Sequence, residues 1–258
     1  MGRLLRRHGA RPLVWAHRGA RAHLPENTLA AFARGMDDGA DGVELDVRTT
    51  ADGEVVVLHD PDLKRVTAGR DARRAQDLDR RAFAGVELEG GGPPPMLADV
   101  LDWAEARGAL VNVELKHDTH DAAALVRGVA RLLGGRSKVA ERVMFSTFDP
   151  ELLARVALTL PRVPRAFLIH DGQELARTFV APGVAHVTGA FALNPQRTLC
   201  SPRRVAEWRR QGLALHVWTV NDPDEAVDLA ALGVDGLIGD DPAALLATLA
   251  NAGASPCI

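Results

Sequence analysis

Residues 42–61 of the chain, GVELDVRTTADGEVVVLHDP, contain two strand-like runs joined by a short turn. In the first run apolar residues alternate with Glu44 and Asp46, so the two carboxylates share one face of the predicted strand. Only the turn-like Ala-Asp-Gly at 51–53 separates the runs, which predicts a β-hairpin rather than a crossover helix. The second run therefore returns antiparallel to the first and brings His59 near the level of the two acids.

The rest of the sequence alternates short apolar runs with segments of helical periodicity. Parallel barrel strands are predicted at Leu13–His17, Gly42–Val47, Ala109–Leu115, Val143–Ser146, Arg165–Ile169, Ala185–Thr188, Leu213–Val220 and Val234–Ile238. Several predicted helices begin with an Asp or Ser N-cap followed by proline, a combination that favours a helix start. Eight strand–helix units in 258 residues predict an α/β fold, the TIM (β/α)8 barrel. A doubly wound open sheet is the alternative, but no Gly-rich phosphate loop follows the first strand.

One long segment interrupts this alternation. Residues 60–96, which include GGGPPP at 90–95, follow the hairpin, and we expect them to form a short irregular insertion over the barrel mouth. A connection of this length is usually functional or disordered. No low-complexity linker divides the chain, so residues 1–258 are predicted to form a single barrel domain.

Composition limits the possible partners. The formal net charge of −3 favours neither nucleic acid nor an anionic membrane. No apolar run approaches the roughly 20 residues of a membrane span, and the N-terminus lacks the apolar segment of a signal peptide. The two cysteines, Cys200 and Cys257, suggest no disulfide framework. We therefore expect a cytoplasmic protein without stable membrane insertion; the sequence leaves its oligomeric state open.

Residues 111–116, VNVELK, repeat the alternation of the first run, with Glu114 and Lys116 on the polar face. In a barrel the apolar face packs on the helices, so Glu44, Asp46 and Glu114 should point inward. A lone inward acid usually pairs with an arginine. Three acids with only Lys116 among them instead predict a metal site, because a buried charge must be paired or metal-bound. An all-oxygen ligand set favours a hard divalent cation, Mg²⁺ or Ca²⁺.

His17 and Arg18 stand at the end of the first predicted strand, beside the strand that carries two of the acids. The hairpin delivers His59 to the same region. Two imidazoles and a guanidinium next to a divalent cation suit phosphoryl transfer, in which one histidine takes a proton and the other gives one. A purely structural role for His17 is the disfavoured alternative, whereas His216 is interpreted as a satisfied core histidine.

Several motifs, taken together, resemble one known family. They are HRGARAHLPENTLAAF at 17–32, DGVELDVRTTADGEVVVLHDPDLKRVT at 41–67, NVELK at 112–116, FSTFDP at 145–150, HVWTVND at 216–222 and GVDGLIGDDP at 233–242. In this order they resemble the bacterial glycerophosphodiester phosphodiesterases of the compact cytoplasmic type. These are barrel enzymes of the phospholipase-C-like phosphodiesterase group.

The resemblance implies hydrolysis of glycerophosphodiesters to sn-glycerol 3-phosphate and an alcohol, with the help of a divalent cation. It implies that Glu44, Asp46 and Glu114 are the metal ligands. It also implies that His17 and His59 form the acid–base pair. The expected partner is therefore a small-molecule glycerophosphodiester substrate.

The same resemblance places Arg18 and Lys116 on the substrate phosphate. Trp218 matches the family's Trp-Thr-Val-Asn motif, and its ring is expected to wall the glycerol pocket. Glu26 and Asn27 match the Pro-Glu-Asn-Thr element, which is expected to shape the site beside the first strand.

Two segments depart from the family pattern and bear on substrate preference. Ile-Gly-Asp at 238–240 stands where the family often has Ile-Thr-Asp, and Pro-Met-Leu-Ala at 95–98 replaces Pro-Thr-Leu-Glu. One alternative function is lysophospholipase D activity on lysophospholipids, which needs an apolar channel or a membrane-facing surface. Another is a non-catalytic barrel that binds a phosphate ligand, which the complete set of histidines and acids disfavours. The leaving alcohol and the choice between Mg²⁺ and Ca²⁺ stay open.

Overall fold

The predicted barrel is present in the structure, a computed structural model that describes residues 2–6, 10–119, 121–173 and 175–254. Its strands are β1 (Leu13–His17), β2 (Gly42–Thr49), β3 (Val55–Val57), β4 (Leu110–Leu115), β5 (Val143–Thr147), β6 (Arg165–Ile169), β7 (Ala192–Pro195), β8 (Ala214–Val217) and β9 (Gly236–Gly239). They are hydrogen-bonded in the order β1-β9-β8-β7-β6-β5-β4-β2-β3, and a further pairing of β1 with β2 closes the ring. All pairings are parallel except that of β2 with β3, so the closed part is a TIM barrel and the open-sheet alternative is excluded.

Helices follow the barrel strands and cover them from outside. They are α1 (Leu29–Asp37), α2 (Arg80–Ala84), α3 (Leu97–Arg107), α4 (Ala122–Leu133), α5 (Ser137–Ala140), α6 (Pro150–Thr159), α7 (Leu175–Val187), α8 (Pro202–Arg210), α9 (Pro223–Ala231) and α10 (Pro242–Ala254). The predicted Asp and Ser N-caps are confirmed, since each accepts a hydrogen bond from a backbone N–H of the first turn: Asp149, Ser201, Asp222 and Asp241. Among the described residues, no helix is both long enough and apolar enough to cross a membrane.

The predicted hairpin is also confirmed. Thr49 of β2 lies opposite Val55 of β3, and the backbone N–H of Thr50 donates to the carbonyl of Glu54 across the turn. Beyond β3, the N–H of Leu58 donates to the carbonyl of Asp46 at 3.0 Å. This antiparallel register returns the chain to the carboxyl end of β2.

One predicted strand is wrong. Residues Ala185–Thr188 form the end of α7 and the turn after it, and the strand comes later, at Ala192–Pro195. Ala181 and Ala185 are fully buried four residues apart, which is the spacing of one helix face. Gly189, with φ of +64°, follows the helix in the left-handed conformation that favours glycine. The Val-Thr pair suggested a strand, but packing of the alanine face against the barrel decides the structure.

The barrel interior is filled on the side opposite the carboxyl ends of the strands. There an apolar cluster occupies the lumen and includes Leu4 from the N-terminal segment: Leu4, Trp15, Leu110, Met144, Ala166, Phe191, Ala192, Ala214 and Ile238. Outside the ring, the apolar faces of β2 and β4 pack against α3 and α4 in a separate core. The polar side chains of the lumen lie at the mouth, at the carboxyl ends of the strands.

The insertion at residues 60–96 is ordered and has a small core of its own. Side chains from β3 and the insertion form this core, which consists of Val56, Leu58, Leu63, Ala75, Leu78, Phe83, Val86 and Met96. An isolated bridge joins Val56 to Met96, so the insertion begins and ends against β3. The expectation of an irregular excursion is correct except for a short 3₁₀ turn at Ala75–Asp77 and helix α2.

Candidate active site

Three buried carboxylates converge at the carboxyl ends of β2 and β4. The parallel register sets Glu44 opposite Asn112 and Asp46 opposite Glu114. Glu44, Asp46 and Glu114 are only 5%, 1% and 8% exposed. One oxygen from each lies within 4.8 Å of the others, so the arrangement could hold a metal ion.

Two cations partly neutralise this acidic trio. Nζ of Lys116 donates to Oε1 of Glu114 at 2.8 Å and to Oδ1 of Asp46 at 3.3 Å. Nε of Arg18 lies 3.2 Å from Oδ2 of Asp46, although this buried nitrogen makes no hydrogen bond with the described residues. Glu44 differs, because the described part of the chain gives it no salt bridge from a lysine or arginine. Its Oε2 accepts only from the backbone N–H of Arg18, at 3.2 Å.

The pKa values of the trio follow these contacts. Burial, together with the charges of Asp46 and Glu114, raises the pKa of Glu44 well above its usual range. Burial also raises the pKa of Glu114 to about 7, although the charge of Lys116 opposes this. Burial acts in the same direction on Asp46, but the charges of Lys116 and Arg18 outweigh it and hold the pKa of Asp46 far below the usual range.

The donor set fits a hard divalent cation. A buried carboxylate without an ion-pair partner is costly, and no lysine or arginine in the described part of the chain forms a salt bridge with Glu44. Carboxylate oxygens from three residues are the ligands that Mg²⁺ and Ca²⁺ prefer. Glu44, Asp46 and Glu114 are therefore the residues that would hold such an ion.

His17, the last residue of β1, points into the mouth beside this trio. Its Nδ1 lies 2.6 Å from Oδ1 of Asp240 and must be the donor, since a carboxylate accepts. Its Nε2 lies 4.0 Å from Oε2 of Glu44. Burial lowers the pKa of His17 although the hydrogen bond to Asp240 opposes this, so the ring is neutral near pH 7 and Nε2 carries a lone pair.

His59 reaches the mouth from the hairpin, as predicted. Its Nδ1 donates to Oδ1 of Asp60 at 2.6 Å. Its backbone carbonyl accepts from both Nε and Nη2 of Arg48, at 3.0 and 2.7 Å, which fixes the chain at this point. Burial lowers the pKa of His59; the charge of Asp46 opposes this and that of Lys116 adds to it.

The loop after β1 holds Arg18 and its neighbours in an unusual backbone. Arg18 and Asn27 have φ values of +56° and +57°, and the N–H of Asn27 donates to the carbonyl of Arg18 at 2.8 Å. Nδ2 of Asn27 donates to Oδ2 of Asp46 at 3.0 Å, and Nη1 of Arg18 donates to Oε1 of Glu26 at 3.1 Å. Positive φ is uncommon for arginine, and residues in such conformations concentrate at functional sites.

A cavity of about 200 Å³ lies at the mouth. One side carries charged and polar groups, namely His17, Arg18, Glu44, His59, Asn112, Glu114, Lys116 and Ser146. The other side is largely apolar, with Phe148, Leu168, Trp218 and Ile238. Nε1 of Trp218 donates to the carbonyl of Asn194 at 2.7 Å, and its ring meets that of Phe148 edge-on at 5.5 Å, so the indole is held in place.

Sequence reasoning missed three residues of this site. Asp240 and Asp60 hold the two histidines, and Phe148 forms part of the apolar wall. All three lie in motifs that carry the family resemblance. The signal that could have identified the two acids is their position. Asp60 follows His59 directly, and Asp240 follows β9, the strand that pairs with β1.

The other histidines lie outside this cavity or beyond the described residues. His216 is fully buried below the mouth; its Nδ1 accepts from Nε1 of Trp15 at 3.0 Å, and burial lowers its pKa to about 4. The prediction of a core histidine is therefore confirmed. It was wrong in expecting both ring nitrogens to be satisfied, because Nε2 has no hydrogen-bond partner among the described residues. His8, His120 and Cys257 lie outside the described residues.

A family model, that of the glycerophosphoryl diester phosphodiesterase family, matches residues 17–244. The chain belongs to this family of hydrolases. It is 34% identical over 243 residues to a glycerophosphodiester phosphodiesterase from Caldanaerobacter subterraneus subsp. tengcongensis, with 91% of this chain and 96% of the relative covered. The family resemblance seen in the sequence motifs is thus confirmed.

Solved structures agree in fold. A glycerophosphoryl diester phosphodiesterase structure from Silicibacter pomeroyi superimposes with a TM-score of 0.88 at 28% identity, covering 99% of this chain and 98% of that one. A phosphodiesterase from Oleispira antarctica, in complex with the product sn-glycerol-3-phosphate, gives a TM-score of 0.79 at 21% identity, covering 93% and 97%. The family's barrel is therefore present over nearly the whole chain.

Proposed function

We propose that the protein hydrolyses glycerophosphodiesters to sn-glycerol 3-phosphate and an alcohol, with Mg²⁺ or Ca²⁺ bound by Glu44, Asp46 and Glu114. The observation that carries the proposal is that two imidazoles, each held by a carboxylate, border one cavity with a buried acidic trio. A divalent cation bound there would supply Lewis acidity toward a phosphoryl oxygen. The chain's own groups then have to bind the phosphate and move two protons.

His17 is proposed as the general base. Its Nδ1–H is committed to Asp240, so Nε2 is the nitrogen that can accept a proton. The lowered pKa keeps Nε2 unprotonated near neutral pH. The proton comes from the attacking oxygen, which belongs to water or to the glycerol 2-hydroxyl if the reaction passes through a cyclic phosphate.

His59 is proposed as the general acid that protonates the leaving alkoxide as its bond to phosphorus breaks. Its side chain is more exposed than that of His17 and comes from the hairpin, so it faces the open side of the mouth. Its pKa is lowered in the free protein, which disfavours the protonated form an acid needs. An anionic phosphodiester beside the ring would favour that form, so proton uptake should accompany substrate binding.

Arg18 and Lys116 are proposed to bind the phosphate. Both line the cavity, and Nε of Arg18 is a buried donor with no hydrogen bond to the described residues. Nζ of Lys116 carries three N–H donors, of which two serve Glu114 and Asp46, so one is left for the phosphate. The two cations would offset the negative charge of the phosphodiester next to the acids.

The apolar wall is proposed to hold the glycerol carbons, with Trp218 at its centre. The Oleispira antarctica phosphodiesterase, which shares the fold, was solved with sn-glycerol-3-phosphate, and a product of that class is what this chain would release. Glu26 and Asn27 are proposed to shape the site by holding Arg18 and Asp46. Lysophospholipase D activity stays an untested alternative, and the cytoplasmic location and single-domain organisation stay predictions.

A coupled assay for glycerol 3-phosphate tests the proposal. Glycerophosphocholine, glycerophosphoethanolamine and a lysophospholipid are offered with Mg²⁺, with Ca²⁺ and with excess chelator. Release of glycerol 3-phosphate from the glycerophosphodiesters, abolished by chelator, is expected. Full activity in chelator would refute the metal. Lysophospholipase D cleavage would release lysophosphatidic acid and the head-group alcohol and no glycerol 3-phosphate, so release of the alcohol is followed as well, and its release from the lysophospholipid alone would favour the alternative.

A further inference from the structure

The insertion contributes one arginine, Arg65, to the back of the active site. Its Nε donates to Oδ2 of Asp60 at 2.6 Å, and its Nη1 and Nη2 donate to the two carboxylate oxygens of Glu26, both at 2.9 Å. We infer that Arg65 is a positioning residue for His59. It holds Asp60 against the imidazole and uses Glu26 as its anchor. The inference rests on the proposed acid role of His59.

Arg65 and His59 bond opposite oxygens of the Asp60 carboxylate. Its Oδ1 accepts from Nδ1 of His59 at 2.6 Å, and its Oδ2 accepts from Arg65. Each carboxylate oxygen therefore has a fixed donor. The imidazole is held with Nδ1 turned toward Asp60 and Nε2 turned away, which is the orientation a proton donor at Nε2 requires.

Glu26 makes the anchor rigid. It receives the paired N–H groups of Arg65 and, at 3.1 Å, Nη1 of Arg18, whose side chain lines the cavity. A planar guanidinium that bonds both oxygens of a carboxylate has strongly restricted geometry. Arg65 thus fixes the carboxylate behind His59 relative to the cation proposed for the phosphate.

The backbone that carries Arg65 is well packed although the side chain is 46% exposed. Leu63 is fully buried in the core of the insertion, and Oγ1 of Thr67 donates to the carbonyl of Leu63 at 2.8 Å. Ion pairs of an exposed guanidinium contribute little to stability, and Glu26, whose side chain is largely buried, keeps Arg18 as a partner, so loss of the Arg65 side chain should leave the fold intact. An effect on catalysis can then be separated from an effect on folding.

The test compares Arg65→Gln with the parent protein on glycerophosphoethanolamine and on a p-nitrophenyl phosphodiester. The first has a poor leaving group that needs an acid; the second does not. If Arg65 positions His59, kcat should fall roughly 10-fold on the natural diester, a part of what general acid catalysis supplies, and much less on the activated one. In a His59→Ala background, Arg65→Gln should cause no further loss, because the residue it acts through is gone.

Arg73→Gln is the matched control. Arg73 lies in the same insertion, and its 54% exposed side chain bonds only Asp71 among the described residues, so loss of this side chain should change the rate on neither substrate. Asp60→Asn is a second variant that breaks the same link at its other end and should reproduce the pattern of Arg65→Gln. Arg65→Lys keeps the charge but loses the paired geometry, so its kcat on the natural diester should lie between that of the parent protein and that of Arg65→Gln.

Equal losses on both substrates, or losses that add in full to those of His59→Ala, would overturn the role of Arg65. So would parent-like kinetics of both Arg65→Gln and Asp60→Asn. Failure of the proposed function looks different, because the parent protein itself would then not hydrolyse the natural diester. Failure of the acid role of His59 also looks different, because His59→Ala would then retain the parent rate on that diester. A thermal melt of each variant shows whether a loss reflects unfolding.

Discussion

His17 lies between the carboxylate that holds its ring and a carboxylate of the acidic trio: its Nδ1 is 2.6 Å from Oδ1 of Asp240, and its Nε2 is 4.0 Å from Oε2 of Glu44. Asp240 is itself held, since its Oδ2 accepts from Nδ2 of Asn221 at 2.9 Å. The ring cannot turn without losing the Asp240 hydrogen bond. The nitrogen that is free to accept a proton is therefore fixed beside the acidic trio.

Asp240→Asn should reduce kcat by about 100-fold or more, because the amide can hold the His17 ring in the wrong tautomer. The comparable Asp→Asn change in a serine protease lowers kcat by a larger factor. KM should change little, because Asp240 does not line the proposed phosphate site. Steady-state kinetics on glycerophosphoethanolamine measure both values. Asp241→Asn is the control: it keeps an N-cap side chain at the next position, and parent-like rates are expected.

Glu44→Gln should nearly abolish activity and weaken metal binding, because it removes a buried carboxylate to which no lysine or arginine among the described residues forms a salt bridge. Excess Mg²⁺ should rescue this single variant in part but should not rescue Glu44→Gln combined with Asp46→Asn. Calorimetric titration with Mg²⁺ and Ca²⁺ checks the affinity, and Glu105→Gln on the exposed side of α3 is the control. Unchanged affinity in the double variant would remove the trio from the metal site.

Metal binding should stabilise the protein more at higher pH. The pKa of Glu114 is raised to about 7 from 4.5, so between these values the folded metal-free protein binds more protons than the unfolded chain. The contribution of Glu114 to the free energy of unfolding of the metal-free protein therefore falls as the pH rises through that window. Glu44 acts in the same direction.

A bound cation removes this penalty, so the rise in Tm on adding Mg²⁺ should grow from pH 5 to pH 7. Thermal melts with Mg²⁺ and with chelator at each pH measure the rise. Glu114→Gln, which cannot ionise, should flatten the pH dependence. A rise in Tm that is independent of pH in the parent protein would contradict the raised pKa.

Much of the fold could be predicted because barrel strands have strong local signals. The alternation in residues 42–47 and 111–116 sets which side chains enter the lumen, and the short turn at 51–53 forces the hairpin. The strand at Ala192–Pro195 could not be recognised, because ALNP has little strand propensity and is defined by its neighbours in the sheet.

The site was predictable where strand pattern alone places a side chain, and not where a contact joins distant loops. Glu44, Asp46 and Glu114 follow from alternation on paired strands. The link between Asp60, Arg65 and Glu26 spans 39 residues and depends on how the insertion folds back on the loop after β1. No periodic pattern in the sequence predicts such a contact, so it is seen only in the tertiary structure.

The two histidines should respond differently to the leaving group. His17→Ala should be slow on every diester, because the attacking oxygen always has to lose a proton. His59→Ala should lose roughly 10²–10⁴-fold on glycerophosphocholine, the usual contribution of an acid, but far less on a p-nitrophenyl diester, whose leaving group needs no proton. Initial rates on both substrates, at saturating metal, separate the roles.

His23→Ala is the control for this pair, since His23 bonds the exposed carboxylate of Asp241 and does not line the cavity. The opposite pattern, with His17→Ala spared on the activated substrate, would exchange acid and base while keeping the pair. Parent-like rates of both variants on natural diesters would refute acid–base catalysis by His17 and His59. Nε2 of His17 faces the buried acids, whereas Asp60 holds Nδ1 of His59. We therefore expect His17 to act as the base and His59 as the acid.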